Sequence, residues 1–233
     1  MLKLLIKLLQ INQRQAIRYP LQAIMRLITA LALFFAFAAA TRTTSDTSLA
    51  ESLLATLVVW MAMIALTKTA NLQGSGAAAR EESFLYPYPI WSFQLLRVAA
   101  VSAINVVALI VAYAIVAGSI SDFAVGASLV FFAYLGASGL GLLLFAANLL
   151  FVKTDMLNAV VILGVLSLAF MPLDKAPYWT QFVPLANAVQ AAQGMPVSAV
   201  ALFIANFAAI LFGIATIRFA EREVVRRGIA GLE

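Results

Sequence analysis

Polar positions in the first segment, MLKLLIKLLQINQRQAIRYP, follow a helical period. Lys3, Lys7, Gln10, Arg14 and Arg18 recur at spacings of four, three, four and four, while Leu4, Leu5, Leu8, Leu9 and Ile11 fall on other faces. One basic stripe opposite leucines predicts an amphipathic helix over residues 1–19, lying flat in the headgroup layer of a membrane. Its charges are spread along Met1 to Tyr19 rather than gathered before an apolar core, unlike a secretory signal.

Beyond Pro20 the polar stripe gives way to long apolar runs. They cover Leu21 to Ala40, Leu49 to Ala70, Phe93 to Ala117, Phe123 to Leu150, Met156 to Met171 and Val197 to Phe219. The pattern predicts an all-α membrane protein with six transmembrane helices in one domain, residues 20–233. The fifth run is short, since a hydrocarbon core of ~30 Å takes about 20 residues. It stops at Met171-Pro172, so a bent or re-entrant piece is expected after it.

Composition agrees with the pattern. Hydrophobic residues make up 64% and charged residues 11% of the 233, with mean hydropathy +1.01. A water-soluble domain carries about 25% charged residues, so this apolar excess calls for lipid. The chain has no cysteine and no histidine. That excludes disulfides, thiol nucleophiles and imidazole metal ligands, and removes the commonest general base. No metal site is expected.

The net charge of +5 is explained by its placement. Given those runs, Lys3, Lys7, Arg14, Arg18, Arg26, Lys68, Arg80, Arg97, Lys153, Arg218, Arg222, Arg226 and Arg227 fall on one side; only Arg42 and Lys175 fall on the other. Basic residues stay cytoplasmic. Both termini are therefore expected inside, with the chain multi-pass in a bacterial-type inner membrane and without a nucleic-acid partner. The tail, residues 219–233, continues the last helix, with Arg218/Arg222 and Glu223/Arg227 four apart as on a solvated face.

The sequence offers little catalytic chemistry. None of the twelve glycines precedes a lysine, so no phosphate-binding loop of the Gly-Lys-Ser/Thr type is present. Gly136-Ala137-Ser138-Gly139 resembles the nucleophile motif of rhomboid intramembrane proteases, but without histidine the serine has no activating base. Ala133, Ala137 and Gly141 are spaced by four, which suits close helix packing instead. No ionisable residue falls near the centre of a span, which disfavours a gradient-driven carrier. The amides Asn105, Asn148, Asn158 and Asn206 remain, either bonding helices together or lining a path; Asn105 and Asn148 are the candidates for a substrate path.

Two loops carry the most information. Residues 71–91, NLQGSGAAAREESFLYPYPIW, join a flexible Gly74-Ser75-Gly76 lead to helix formers, then to a stiff Tyr86-Pro87-Tyr88-Pro89 exit. A short charged helix is expected there, presented to the cytoplasm. Residues 172–193 hold Pro172, Pro177, Trp179 and Pro184 in a stretch too apolar for a free loop and too broken for a span. Half-helices dipping into the outer leaflet are expected, with Tyr178 and Trp179 at headgroup level.

Together these stretches resemble the permease subunits of ATP-binding-cassette transporters of the type-2 export family. Such permeases have an amphipathic entry helix, six spans, cytoplasmic ends and a coupling helix between spans two and three, commonly an acidic pair before a small residue, Thr and Leu. Arg80-Glu81-Glu82-Ser83-Phe84-Leu85, then Pro89 and Gln94-Leu95-Leu96-Arg97, is similar, with Ser83-Phe84 where the family often has Gly-Thr. Pro172, Pro177, Trp179 and Pro184-Leu185 look like the family's external stretch after span five. The resemblance implies that ATP and magnesium bind a separate cytoplasmic ATPase, that this chain binds no cofactor and is not itself an enzyme, and that Arg80 to Leu85 contact that ATPase. It also implies a second permease chain, identical or related, and outward movement of a drug, lipopeptide or lipid-linked glycan. A non-transporting membrane scaffold is the alternative.

Overall fold

The computed structural model of the chain describes residues 49–70, 89–116, 120–151, 155–169 and 177–226, together with isolated helical, exposed positions between residues 6 and 32. Every element among the described residues is helical. In chain order they are α1 (Leu49–Thr69), α2 (Ile90–Val116), α3 (Ile120–Leu150), α4 (Asp155–Ala169), a 3-10 helix (Tyr178–Phe182), α5 (Ala186–Ala192) and α6 (Ala199–Arg226). The apolar runs from 49 onward thus become helices close to their expected bounds. The amphipathic segment 1–19, the first run and residues 71–88 lie outside the described residues, apart from those isolated positions.

Apolar runs of this length form helices because a helix satisfies every backbone group within the segment, as lipid requires. At 1.5 Å per residue α3 is ~46 Å long and α6 ~42 Å. Three described helices are long and apolar enough to cross a membrane: Glu51–Thr69, Phe123–Leu150 and Ala199–Arg226. The 15 residues of α4 reach only ~22 Å. A full crossing there would need the residues that follow.

α1 is the buried centre, with Val58, Ala62, Ala65 and Leu66 wholly enclosed. It packs on α2, α3 and α5, and α3 packs in turn on α6. The face of α3 that bears Ala133 and Ala137 joins the core around α1, and Gly141 meets Thr69 and Leu66. On another face, a Cβ at Gly139 would lie 2.4 Å from the Ala209 carbonyl carbon, and one at Gly213 would lie 2.6 Å from the Gly139 oxygen. There α3 and α6 touch backbone to backbone. The four-residue motif that includes Ser138 is therefore a packing surface.

These contacts also set direction. The far end of α1 meets Gly141 of α3, and Asn206 and Gly213 of α6 meet Gly136 and Gly139 of α3. α1, α3 and α6 consequently run the same way. Tyr113, late in α2, lies beside Gly126 and Phe123, early in α3, so α2 runs opposite. Asn158, early in α4, bonds to Asn148, late in α3, and α4 runs opposite too.

α6 shows which surface faces outward. Ala201, Leu202, Ala205, Ala209, Ile210, Ile217 and Val224 are buried on one stripe. Phe203, Ile204, Leu211, Phe212 and Phe219 are at least half exposed. Large apolar side chains in water cost about 25 cal/mol per Å², so that face suits hydrocarbon.

Candidate functional site

Two clusters of polar contacts stand out, one at each end of α6. The first surrounds the stretch between α4 and α6. Pro177 leads into the 3-10 helix, and the Thr180 hydroxyl donates to the Pro177 carbonyl at 2.7 Å and accepts from Gln190 Nε2 at 3.0 Å. α5 follows after a turn at Val183 to Leu185 and is almost wholly enclosed, with Leu185, Ala186, Asn187, Ala188 and Val189 at 0% exposure.

Asn206 organises this turn from α6. Its Oδ1 accepts from the Leu185 amide at 3.3 Å; its Nδ2 donates to Asn187 Oδ1 at 3.1 Å and to the Leu202 carbonyl at 2.7 Å. Asn187 in turn donates to the Gln181 carbonyl at 3.2 Å. Leu185 has φ 71 and ψ −53, a rare and strained γ-turn geometry for a residue bearing a Cβ. Such a conformation costs about 1–3 kcal/mol and persists only where its surroundings hold it. Here the hold is the Asn206 carboxamide.

The space for Asn206 is made by Gly136, where an added Cβ would fall 1.9 Å from Asn206 Oδ1. Gly136 is ~20 Å along α3 from Phe123 and ~21 Å from Leu150 at 1.5 Å per residue. The turn therefore reaches about halfway down the apolar length of α3. Outside it, Tyr178 is 81% and Trp179 54% exposed, and Tyr178 packs edge-on against Phe182.

The second cluster lies at the opposite end and brackets residues 71–88. Asn148 of α3 donates to the Ala70 carbonyl at 3.2 Å, and Asn158 donates to Asn148 Oδ1 at 3.1 Å. The last carbonyls of a helix lack intrahelical partners, so Asn148 closes the end of α1. On the other side of the segment, the Ile90 amide donates to Glu221 Oε1 at 2.8 Å. Proline at position 89 has no side chain that can cap α2. A carboxylate from 131 residues away serves instead, where the helix dipole also favours negative charge. The Arg218 guanidinium stands 5.8 Å from the centre of the Trp91 ring, within cation–π range.

Of the residues singled out from sequence, Pro177, Trp179 and Pro184 lie in the stretch that carries the first cluster, and Asn148 belongs to the second. The segment Arg80 to Leu85 and Pro172 lie outside the described residues, as does the side chain of Asn105. Asn187, Gln190 and Thr180 were not anticipated, although small amides and hydroxyls within an apolar stretch are the signal that could have found them. Glu221 was not anticipated either. In the tail, Glu223 pairs with Arg226 at 2.7 Å, whereas Arg227 lies outside the described residues.

Both clusters consist chiefly of amides and hydroxyls, with Glu221 and Arg218 the ionisable members. They can hold helices together and orient a turn. Among the described residues no group of three or more Asp, Glu, His or Cys side chains could hold a metal. Removing the link in the second cluster by Asn148→Leu frees the Ala70 carbonyl and the Asn158 amide. Interhelical hydrogen bonds in membranes average ~0.6 and reach ~1.7 kcal/mol, so the expected loss is about 1–2 kcal/mol. At 2–4 °C per kcal/mol that is a fall of roughly 2–8 °C in detergent melting temperature. Comparison of the chain with protein-family models, with curated proteins and with solved structures gives no match.

Proposed function

We propose that the chain is the permease subunit of an ATP-binding-cassette exporter of the type-2 export family. In this reading it moves an amphipathic or lipid-like molecule outward, and a separate cytoplasmic ATPase drives it. The observation that supports it most is the bracketing of residues 71–88. Asn148 of α3 holds the entry of that segment and Glu221 of α6 holds its exit. A loop that only joins two spans needs no such anchorage. A loop that passes force to the helices does, and these two contacts give it purchase on the two helices that pack most closely together.

Topology is consistent with this reading. α1, α3 and α6 run one way and α2 and α4 the other, as successive spans do. Lys68, Arg97 and Arg218 all belong to the end of the helices where the 71–88 segment begins and finishes, the side that the positive-inside rule makes cytoplasmic. The exposed Tyr178 and Trp179 fall at the opposite end, where an aromatic belt would meet lipid headgroups. Two permease chains would face each other, with six spans each and the substrate between them.

Mild-detergent purification from the native membrane tests the class. A near-stoichiometric soluble ATPase with a phosphate-binding loop is the expected companion; its repeated absence from intact chain would favour a scaffold. The contact itself is tested by Glu81→Ala with Glu82→Ala in vesicles holding both subunits. Hydrogen bonds to charged groups contribute about 1.5–3 kcal/mol, so substrate-stimulated ATP hydrolysis should fall on the order of tenfold, with insertion unaffected. Unchanged stimulation would remove the two glutamates from the interface.

A further inference from the structure

The two clusters sit at opposite ends of one unbroken helix. Glu221 and Asn206 are fifteen residues apart on α6, which is ~22 Å along the axis. No proline interrupts that length. Roughly midway, at Gly213, α6 meets Gly139 of α3 backbone to backbone. Packed helices can shift past one another by small shear movements. At the inner end, the Ile90 amide and the Trp91 ring are both held by α6, through Glu221 and Arg218. At the other, a strained Leu185 is held by Asn206 of the same helix.

We propose that α6 couples the exit of the 71–88 segment to the Pro184–Leu185 turn, with Glu221 and Asn206 as positioning residues at its two ends. A displacement of the start of α2 drags α6 through the Glu221 carboxylate. The same displacement moves Asn206 relative to Gly136 and the turn. Leu185 then loses the acceptor that holds its unfavourable backbone angles, and the turn relaxes. The physical link rests on the contacts alone; its use, to carry an ATP-driven movement to the outer half of a transport path, rests on the exporter reading.

Hydrogen exchange on the full chain in lipid nanodiscs, without ATP or ATPase, tests the link apart from that reading. Glu221→Ala is expected to speed exchange roughly 3- to 10-fold in peptides covering residues 90–93, and also in peptides covering 185–189, which Glu221 does not touch. Glu221→Gln keeps an acceptor for the Ile90 amide and should leave both regions near the wild-type rate. Acceleration confined to residues 90–93 would overturn the coupling and reduce Glu221 to a local cap. Should Glu221→Ala fail to fold, Trp91→Leu removes the Arg218 contact with the carboxylate intact, and the same peptides are read. Faster exchange at 185–189 supports the link and an unchanged rate there refutes it. Failure of the ATPase purification with a positive exchange result would discard the exporter and keep the coupling.

Discussion

Asn206→Ala is expected to destabilise the fold by about 2–4 kcal/mol, a fall of roughly 5–15 °C in detergent melting temperature. The substitution removes three hydrogen bonds at once. It leaves the Leu185 amide and Asn187 Oδ1 enclosed without their acceptor and donor, and each orphaned buried group costs about 1–3 kcal/mol. It also withdraws the restraint on a backbone conformation that leucine does not otherwise favour. The lower membrane values for single hydrogen bonds keep the figure from rising further.

Gly136→Ala shows whether that mechanism is right. Its Cβ would fall 1.9 Å from Asn206 Oδ1, so it should expel the carboxamide and cost nearly as much as Asn206→Ala. In the double variant the clash with the carboxamide has gone, leaving only Pro184 Cβ close at 3.2 Å, and alanine is a better helix former than glycine by up to ~1 kcal/mol. The pair should therefore be no less stable than Asn206→Ala alone. A double-mutant cycle on thermal unfolding reads this directly. Additive losses would show that the two positions act separately.

The second large effect is expected at the α3–α6 crossing. In Gly139→Ala the new Cβ lies 2.4 Å from the Ala209 carbonyl carbon and 2.6 Å from both the Ala209 oxygen and the Ile210 nitrogen. All three are backbone atoms, which cannot rotate aside as a side chain would. The helices must part along much of their contact, at a cost of about 2–4 kcal/mol, at and above the upper end of what overpacked cores usually lose. Gly164→Ala is the control. It stands on α4 with nothing within 4 Å of the added Cβ, and melting should stay unchanged or rise slightly. Equal losses at both glycines would point to helix flexibility rather than close approach as the reason for Gly139.

The amino-acid sequence by itself determined that this chain is helical and suited to lipid, and roughly where the helices from Leu49 onward begin and end. The physical reason is local. Runs of Leu, Ala, Val and Ile long enough to span hydrocarbon must satisfy their own backbone, which a helix does within one segment. The same reasoning marked Gly136 to Gly139 as packing, because the absence of histidine removed the rival chemistry.

Which helix lies at the centre was decided only in three dimensions. α1 is apolar on every side, so its own pattern could not distinguish lipid from protein; neighbours on three sides enclose it. The same holds for the polar residues that matter. Asn148 and Asn206 were visible as amides within spans, but their roles depend on who stands opposite: the Ala70 carbonyl for one, the Leu185 amide for the other. Glu221 reads in the sequence as one charge in a solvated tail. It becomes the cap of α2 because Pro89 offers no side chain for the purpose and because folding brings together residues 131 apart. A capping requirement is a property of a helix end, whereas its fulfilment from a distance belongs to the packing of the whole chain.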